Sequence, residues 1–208
     1  GVIEQTGAGV TDWKVGDRVT FDSTIYKKDD WYTRQGMYNL SDGRMVLGVS
    51  CKEFLRNGAY ADFVAIPAHI LYRLPDNVSF VQAALVEPAA VALHAINITP
   101  FENSYTAVVV GAGMVGSFVI QLLKIKGCTN IIAIDLEDER LQLAKKPGAG
   151  FVYKPGEPGL IEKVLSVTSG RGADVAFEVV GIGETIQTAI TLLRKGGTLT
   201  VLGNLSPV

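Results

Sequence analysis

The chain has 208 residues, of which 48% are hydrophobic, with a formal net charge of −2. That composition supports a buried core in one large domain or two small ones, and the mild acidity gives no general attraction to nucleic acid or to an anionic membrane. Two cysteines far apart, Cys51 and Cys128, make neither a disulfide framework nor a C-x-x-C metal motif, which suits a reducing, cytoplasmic setting.

In chain order, residues 1 to about 75 read as short strands and turns. "GVIEQTGAG" opens the chain as a strand entering a turn, with no initiator Met and no signal peptide, so the sequence is expected to be an internal piece of a longer protein. "GDRVTF" (16–21), "GAYADFVAI" (58–66) and "HILYRLP" (69–75) are apolar or alternating runs bounded by Gly, Asp or Pro, and each is expected to form a strand. Between them, "TIYKKDDWYTRQGMYNLSDGR" (24–44) is polar and aromatic, with little apolar periodicity. Loops of that length without structure of their own are uncommon and usually functional or tethered.

The period changes near Phe80. "SFVQAALVEPAAVALHAINI" reads as helix, with Ser79 a fitting N-cap and Pro88 suited to the first turn of a second helix. Strands then alternate with helices. The strands are expected at 106–110, 130–135, 151–154, 174–180 and 198–202, the helices at 114–126, 137–146, 158–169 and 183–194. Apolar strands of this kind belong to a parallel sheet covered on both faces by right-handed crossovers. The expected fold is α/β: a β-rich domain over 1–98, then a doubly wound parallel sheet over 99–208.

The most specific motif is Gly111-x-Gly113-x-x-Gly116, which leaves an expected strand and opens an expected helix, as a dinucleotide fingerprint requires. Gly111 permits the tight turn, Gly113 lets the backbone approach a pyrophosphate, and Gly116 lets the helix pack close to the sheet. Met114 and Val115 begin the helix whose free N–H groups would face the phosphates. Asp135 ends the next expected strand, where a carboxylate can accept hydrogen bonds from the ribose hydroxyls and would repel a 2′-phosphate. No Arg or Lys flanks it directly, so NAD is expected in preference to NADP. Arg140 could lie over the adenine or ribose. Ligands in such folds lie beyond the carboxyl ends of the strands, which adds Val180 and Gly181 after the fourth strand and Leu202, Gly203 and Asn204 after the fifth.

Taken together, "GVIEQTGAGVTDWKVGDRV", "NGAYADFVAIPAHILYRLPDNVSFVQAALVEPAAVALHAI", "VVVGAGMVGSFVIQLLK" and "LLRKGGTLTVLGN" resemble the zinc-type medium-chain dehydrogenases, most closely the sorbitol (L-iditol) and related polyol dehydrogenases. The resemblance implies a partial GroES-like catalytic domain followed by a Rossmann domain. It also implies NAD and a catalytic zinc, with oxidation of a secondary alcohol or polyol to a ketone by hydride transfer. A homodimer or homotetramer is implied as well. By the same resemblance, Glu87 of "EP" is the catalytic and metal-binding candidate. The family's other zinc ligands, a Cys and a His, belong to sequence before this chain. His94 lies about 10 Å along the helix from Glu87 and is expected to be a packed helix residue; His69 is expected at the surface or a strand edge. A zinc-free reductase of the same superfamily and a non-catalytic nucleotide-binding module are the alternative readings.

The resemblance also bears on the polar loop. Four cysteines that hold a structural zinc in the family fall here on Lys27, Asp30, Thr33 and Ser41. The loop is therefore expected to carry no metal, to be more mobile, and to be held by Trp31, Tyr32, Tyr38, Leu40 and Lys–Asp ion pairs. Cys51 reads as a small loop residue and Cys128 as a small buried hydrophobe.

Overall fold

The computed structural model describes residues 1–49 and 51–205, arranged in two compact units, Gly1–Ala84 and Leu85–Val208. The sequence boundary at residue 98 falls later because α3 (Val86–Ile98) belongs to the second unit. Its Ala92, Ala95 and Ile96 are buried in the same core as Val119, Ile120 and Leu123 of α4 (Met114–Ile125).

The first unit is β-rich, with short ladders. β1 (Val19–Phe21) pairs antiparallel with β5 (Leu71–Arg73), and β3 (Met45–Leu47) lies between β2 (Thr24–Ile25) and β4 (Leu55–Arg56). Two expected strands are corrected. Residues 58–66 join no ladder, and Tyr60 and Phe63 are exposed; an apolar alternating run forms a strand only where another backbone accepts its hydrogen bonds. The run 69–75 starts as a one-turn 3-10 helix (Ala68–Ile70) before β5. Ser79 does cap a short helix, α2 (Phe80–Ala83), in a reciprocal capping box with Gln82.

The polar loop has its own structure: β2, one helical turn α1 (Trp31–Arg34) and a 3-10 turn (Tyr38–Leu40), after which the chain enters β3. Its organiser is Asp30, which accepts hydrogen bonds from Thr33 N–H at 2.7 Å, from Asp42 N–H at 3.1 Å and from the buried Ser41 hydroxyl; Ser41 Oγ in turn accepts from Lys27 N–H at 3.1 Å. So the side chains of Asp30 and Ser41 knit the four nominated positions together. Of the expected anchors, Tyr38 does tie the loop down, its ring 4.8 Å from that of Tyr26 and its hydroxyl donating to Asp22 Oδ2 at 3.1 Å. Trp31 and Leu40 are exposed, which corrects that part of the expectation, and no Lys–Asp ion pair forms within the loop among the described residues. A carboxylate that gathers several donors is a stronger local tie than two long, solvated side chains. The Ser41 hydroxyl, then the Thr33 N–H, hold the Asp30 carboxyl down to about 2. Because the folded value is depressed, this stabilisation is complete at neutral pH and fades as pH falls toward 2. Asp30→Ala should open the loop locally, so that trypsin cuts at Lys27, Lys28 or Arg34 about tenfold faster at pH 7; unchanged cleavage would show that something else holds it.

The second unit is a five-stranded, all-parallel sheet with strand order β10-β9-β6-β7-β8. Its strands are β6 (Thr106–Val110), β7 (Asn130–Ile134), β8 (Phe151–Tyr153), β9 (Ala173–Glu178) and β10 (Leu193–Val201). The apolar runs split by alternation, as the pleat requires. Val109, Ile131, Ala133 and Phe177 face α3, α4 and α5 (Asp138–Lys145). Val108, Ile132, Ile134 and Ala176 face α6 (Leu160–Val167) and α7 (Gly183–Leu192). Each fully buried Val or Ile contributes about 1.5–3 kcal/mol. β10 begins earlier than expected, at Leu193, with a register irregularity before Thr198 that takes in the glycines of "RKGG". From β6 the chain winds outward through β7 and β8, then returns to the other side of β6 for β9 and β10. The order reverses between β6 and β9, which puts a crevice at their carboxyl ends.

Candidate nucleotide site

Gly111 follows β6 with φ +99°, and its N–H donates to Ile134 O at 2.8 Å. A Cβ there would meet Val180 Cγ2 at 2.6 Å. At Gly116 a Cβ would come within 1.9 Å of Gly111 O, so this glycine lets α4 close on the turn. Gly113 differs from both: nothing lies within 4 Å of where its Cβ would be. Protein packing demands the first and third glycines, whereas the second borders open space. Gly113 is the N-cap of α4, and no side chain caps that helix end. Met114 opens α4 and is exposed, while Val115 packs partly into the core.

Asp135 directly follows β7 and is nearly buried. Its Oδ2 accepts from Ala112 N–H at 2.8 Å, and its Oδ1 accepts from Glu137 N–H at 3.0 Å. Asp135 therefore closes the turn that leads to Glu137, the N-cap of α5, and it is also tied to the glycine turn itself. Each oxygen keeps a further lone pair for a sugar hydroxyl. Arg140 Nη1 reaches within 3.7 Å of Asp135 Oδ2 from a largely exposed side chain.

On the other side of β6, Val180 and Gly181 follow β9 while Leu202 and Gly203 follow β10. Gly181 has φ +90°, and a Cβ there would meet Asn204 O at 2.4 Å; a Cβ on Gly203 would meet Gly181 N at 2.1 Å. The two turns thus interlock through backbone alone. Sequence reasoning missed their organiser, Glu178, the last residue of β9 and fully buried. The one signal for it was an acid directly after the apolar run 175–177 and just before Val-Val-Gly.

The metal candidates are not gathered. Glu87 lies in the first turn of α3 and is exposed. His94 is also exposed, which corrects the expectation of a packed residue: this turn of α3 buries Ala92, Ala95 and Ile96 instead. His69 is half-buried in the first unit, its Nε2 3.2 Å from Tyr26 O and its ring edge-on to Tyr26. Among the described residues no three His, Cys, Asp or Glu side chains come together to hold a metal, so the residues present do not by themselves fit a zinc. Cys51 is exposed; Cys128 is buried, and burial pushes its thiol up. No helix among the described residues is long and apolar enough to cross a membrane.

A glycine turn at the switch point of a doubly wound sheet, tied to an acid one strand over, defines a Rossmann-type unit, which follows a β-rich unit in the sequence. Comparison with known proteins makes this specific. Residues 1–76 match the alcohol dehydrogenase GroES-like domain and residues 114–207 the zinc-binding dehydrogenase domain. The chain is 35% identical over 202 residues to the (R,R)-butanediol dehydrogenase of Bacillus subtilis (strain 168), covering 97% of this chain and 56% of that protein. It is 32% identical over 203 residues to the sorbitol dehydrogenase of the same organism, covering 98% and 56%. Among solved structures, a zinc-binding dehydrogenase from Sinorhizobium meliloti 1021 bound to NADP superposes with a TM-score of 0.88 at 26% identity, covering 99% of this chain and 59% of that one. A short chain alcohol dehydrogenase from Escherichia coli CFT073 complexed with NADH superposes with a TM-score of 0.85 at 26% identity, covering 97% and 58%. The chain belongs to the zinc-type medium-chain dehydrogenase family, and it spans a little over half the length of the curated relatives it matches.

Proposed function

We propose that this chain binds NAD across the crevice at the carboxyl ends of β6, β7 and β9. The whole protein would be an NAD-dependent alcohol or polyol dehydrogenase that oxidises a secondary alcohol to a ketone. The observation that carries the reading is the 2.8 Å hydrogen bond from Ala112 N–H to Asp135 Oδ2, which makes the glycine turn and the acidic residue one site. The glycine turn and the N-terminus of α4 would hold the pyrophosphate, with Met114 and Val115 at the phosphates. Asp135 would accept the ribose hydroxyls, and Arg140 would lie beside the sugar. Val180, Gly181, Leu202 and Gly203 would form the wall of the nicotinamide half. The nicotinamide supplies the hydride acceptor; the chain's own residues bind and orient.

NAD rather than NADP follows from Asp135, whose carboxylate disfavours a 2′-phosphate. Arg140 does not offset this while it faces that carboxylate. Structural neighbours bound to NADH and to NADP both exist in this fold, so the fold alone does not choose between them, and it is the local pair of Asp135 and Arg140 that supports NAD. Titration of the chain with NAD and NADP tests the reading: NAD should bind at least about tenfold tighter, and equal affinities would overturn the preference.

The catalytic zinc belongs to the proposal for the whole protein, in which Glu87 is this chain's contribution to the metal site. Bound there, zinc would act as a Lewis acid that stabilises an alkoxide. Elemental analysis should give about one zinc per subunit for the whole protein and none retained by the 208-residue chain. Two per subunit would contradict the assignment of a single catalytic metal and a metal-free loop. Butanediol and sorbitol, named by the relatives, set the substrate class to try first. A homodimer or homotetramer in the cytoplasm fits the same reading.

A further inference from the structure

Glu178 has more to it than a structural acid needs. Its Oε1 accepts three hydrogen bonds: from Val180 N–H at 2.8 Å, Gly181 N–H at 2.9 Å and the Thr185 hydroxyl at 2.7 Å. Its backbone carbonyl accepts from Leu202 N–H at 2.8 Å and Gly203 N–H at 3.1 Å. Its Oε2 is buried and has no protein partner, and no cation pairs with it among the described residues. Buried side-chain oxygens without a partner are uncommon, because losing water without a replacement is costly. Here the polar groups around the carboxylate are dipoles: three donors, with the N-terminus of α7, which carries Thr185 in its first turn. Dipoles make a buried carboxylate tolerable, but they leave its net charge uncancelled.

Its place gives that charge a use. Glu178 is in register with Val110, the residue before the glycine turn. The turn it holds places Val180 against Gly111 and leaves Val180 about half exposed. Asp135 marks the sugar on the β7 side of β6, so a dinucleotide crossing the switch point carries its other end over β9 and β10. We infer that Glu178 is a specificity-determining residue for the redox state of the nucleotide. On that reading it would lie on the side of the nicotinamide half, where an uncompensated carboxylate would favour the oxidised, positively charged ring over the reduced, neutral one. This deepens the nucleotide reading above and rests on it. Glu178 touches neither ring nor substrate on this account; it acts through the field it sets up and through the turn it shapes.

Titration with NAD⁺, NADH and ADP-ribose separates these roles. Glu178→Gln keeps the shape and an acceptor for the three donors while removing the charge. It should weaken NAD⁺ about tenfold and change NADH and ADP-ribose less than about twofold, the scale expected for one charge acting at several ångströms through partly screened protein. An equal change for all three ligands, or none for any, would overturn the inference, since a purely structural role moves them together. If Glu178→Gln does not fold, Thr185→Val carries the test. With one donor fewer the carboxylate is less neutralised, and the NAD⁺-to-NADH affinity ratio should rise about twofold; a ratio that stays level or falls overturns the inference. Failure of the unsubstituted chain to bind even ADP-ribose would instead refute the nucleotide reading, and this inference with it.

Discussion

Gly113→Val is expected to weaken nucleotide binding about a hundredfold or more while leaving the fold intact, each factor of ten corresponding to about 1.4 kcal/mol of lost binding. Nothing lies within 4 Å of a Cβ at Gly113, and its φ of −67° suits any L residue, so the protein has room for a side chain there. Any cost therefore falls on what the turn binds. On the proposed reading, a valine would stand where the pyrophosphate approaches the uncapped end of α4, separating the phosphates from the N–H groups they need. Gly111→Ala and Gly116→Ala form the contrasting pair. Their new carbons collide with Val180 and with Gly111 O, so both should destabilise the second unit itself. Calorimetric titration with NAD, beside thermal melts, reads the two effects separately. For Gly113→Val the melting midpoint should move by less than about 2 °C. A variant that still binds NAD like the parent would show that the open space at this turn is not the phosphate site.

Asp135→Ala is expected to erase the preference for NAD over NADP, and to do so from both directions. Removing the carboxylate takes the acceptor away from two ribose hydroxyls, which should weaken NAD about ten- to thirtyfold. It also frees Arg140, held 3.7 Å from that carboxylate, to pair with a 2′-phosphate, so NADP should bind more tightly than before. The paired variant Asp135→Ala with Arg140→Ala separates the two: the NADP gain should vanish and the NAD loss remain. Ala112 and Glu137 N–H groups also lose their acceptor, at a cost of about 1–3 kcal/mol, so melting must be followed alongside. An unchanged NAD-to-NADP ratio in the single variant would remove Asp135 from the site.

How far the sequence could be read differs between the two units for one reason. In the second unit, strands and helices are continuous in sequence, each strand finds its partners within the unit, and the periods 2 and 3.6 announce themselves. All five strands and the four crossover helices were legible, with ends shifted by a few residues. The glycine turn and Asp135 were legible too, because a strand, a turn and a helix N-terminus follow one another along the chain. In the first unit the same patterns were weaker guides. Residues 58–66 carry a strand's alternation without a ladder, since pairing is decided by a distant backbone and not by the run itself. The polar loop looked as if aromatics and ion pairs must hold it. Of the aromatics Tyr38 does pack on Tyr26, but the ion pairs are absent among the described residues, and the tie the sequence hid is Asp30, through partners up to twelve positions away, Thr33, Ser41 and Asp42, that no periodicity connects.

By itself, then, the sequence determined the doubly wound sheet, the glycine turn and the acid beside it, because those rest on local geometry and on which side chains tolerate a close backbone. Only the tertiary structure decided that Gly113 faces open space while Gly111 and Gly116 are packed, that Arg140 answers Asp135, and that Glu178 ties the turns after β9 and β10 into one wall. Those relations join residues on different strands, and contacts of that kind arise only when the sheet brings its strand ends to one edge.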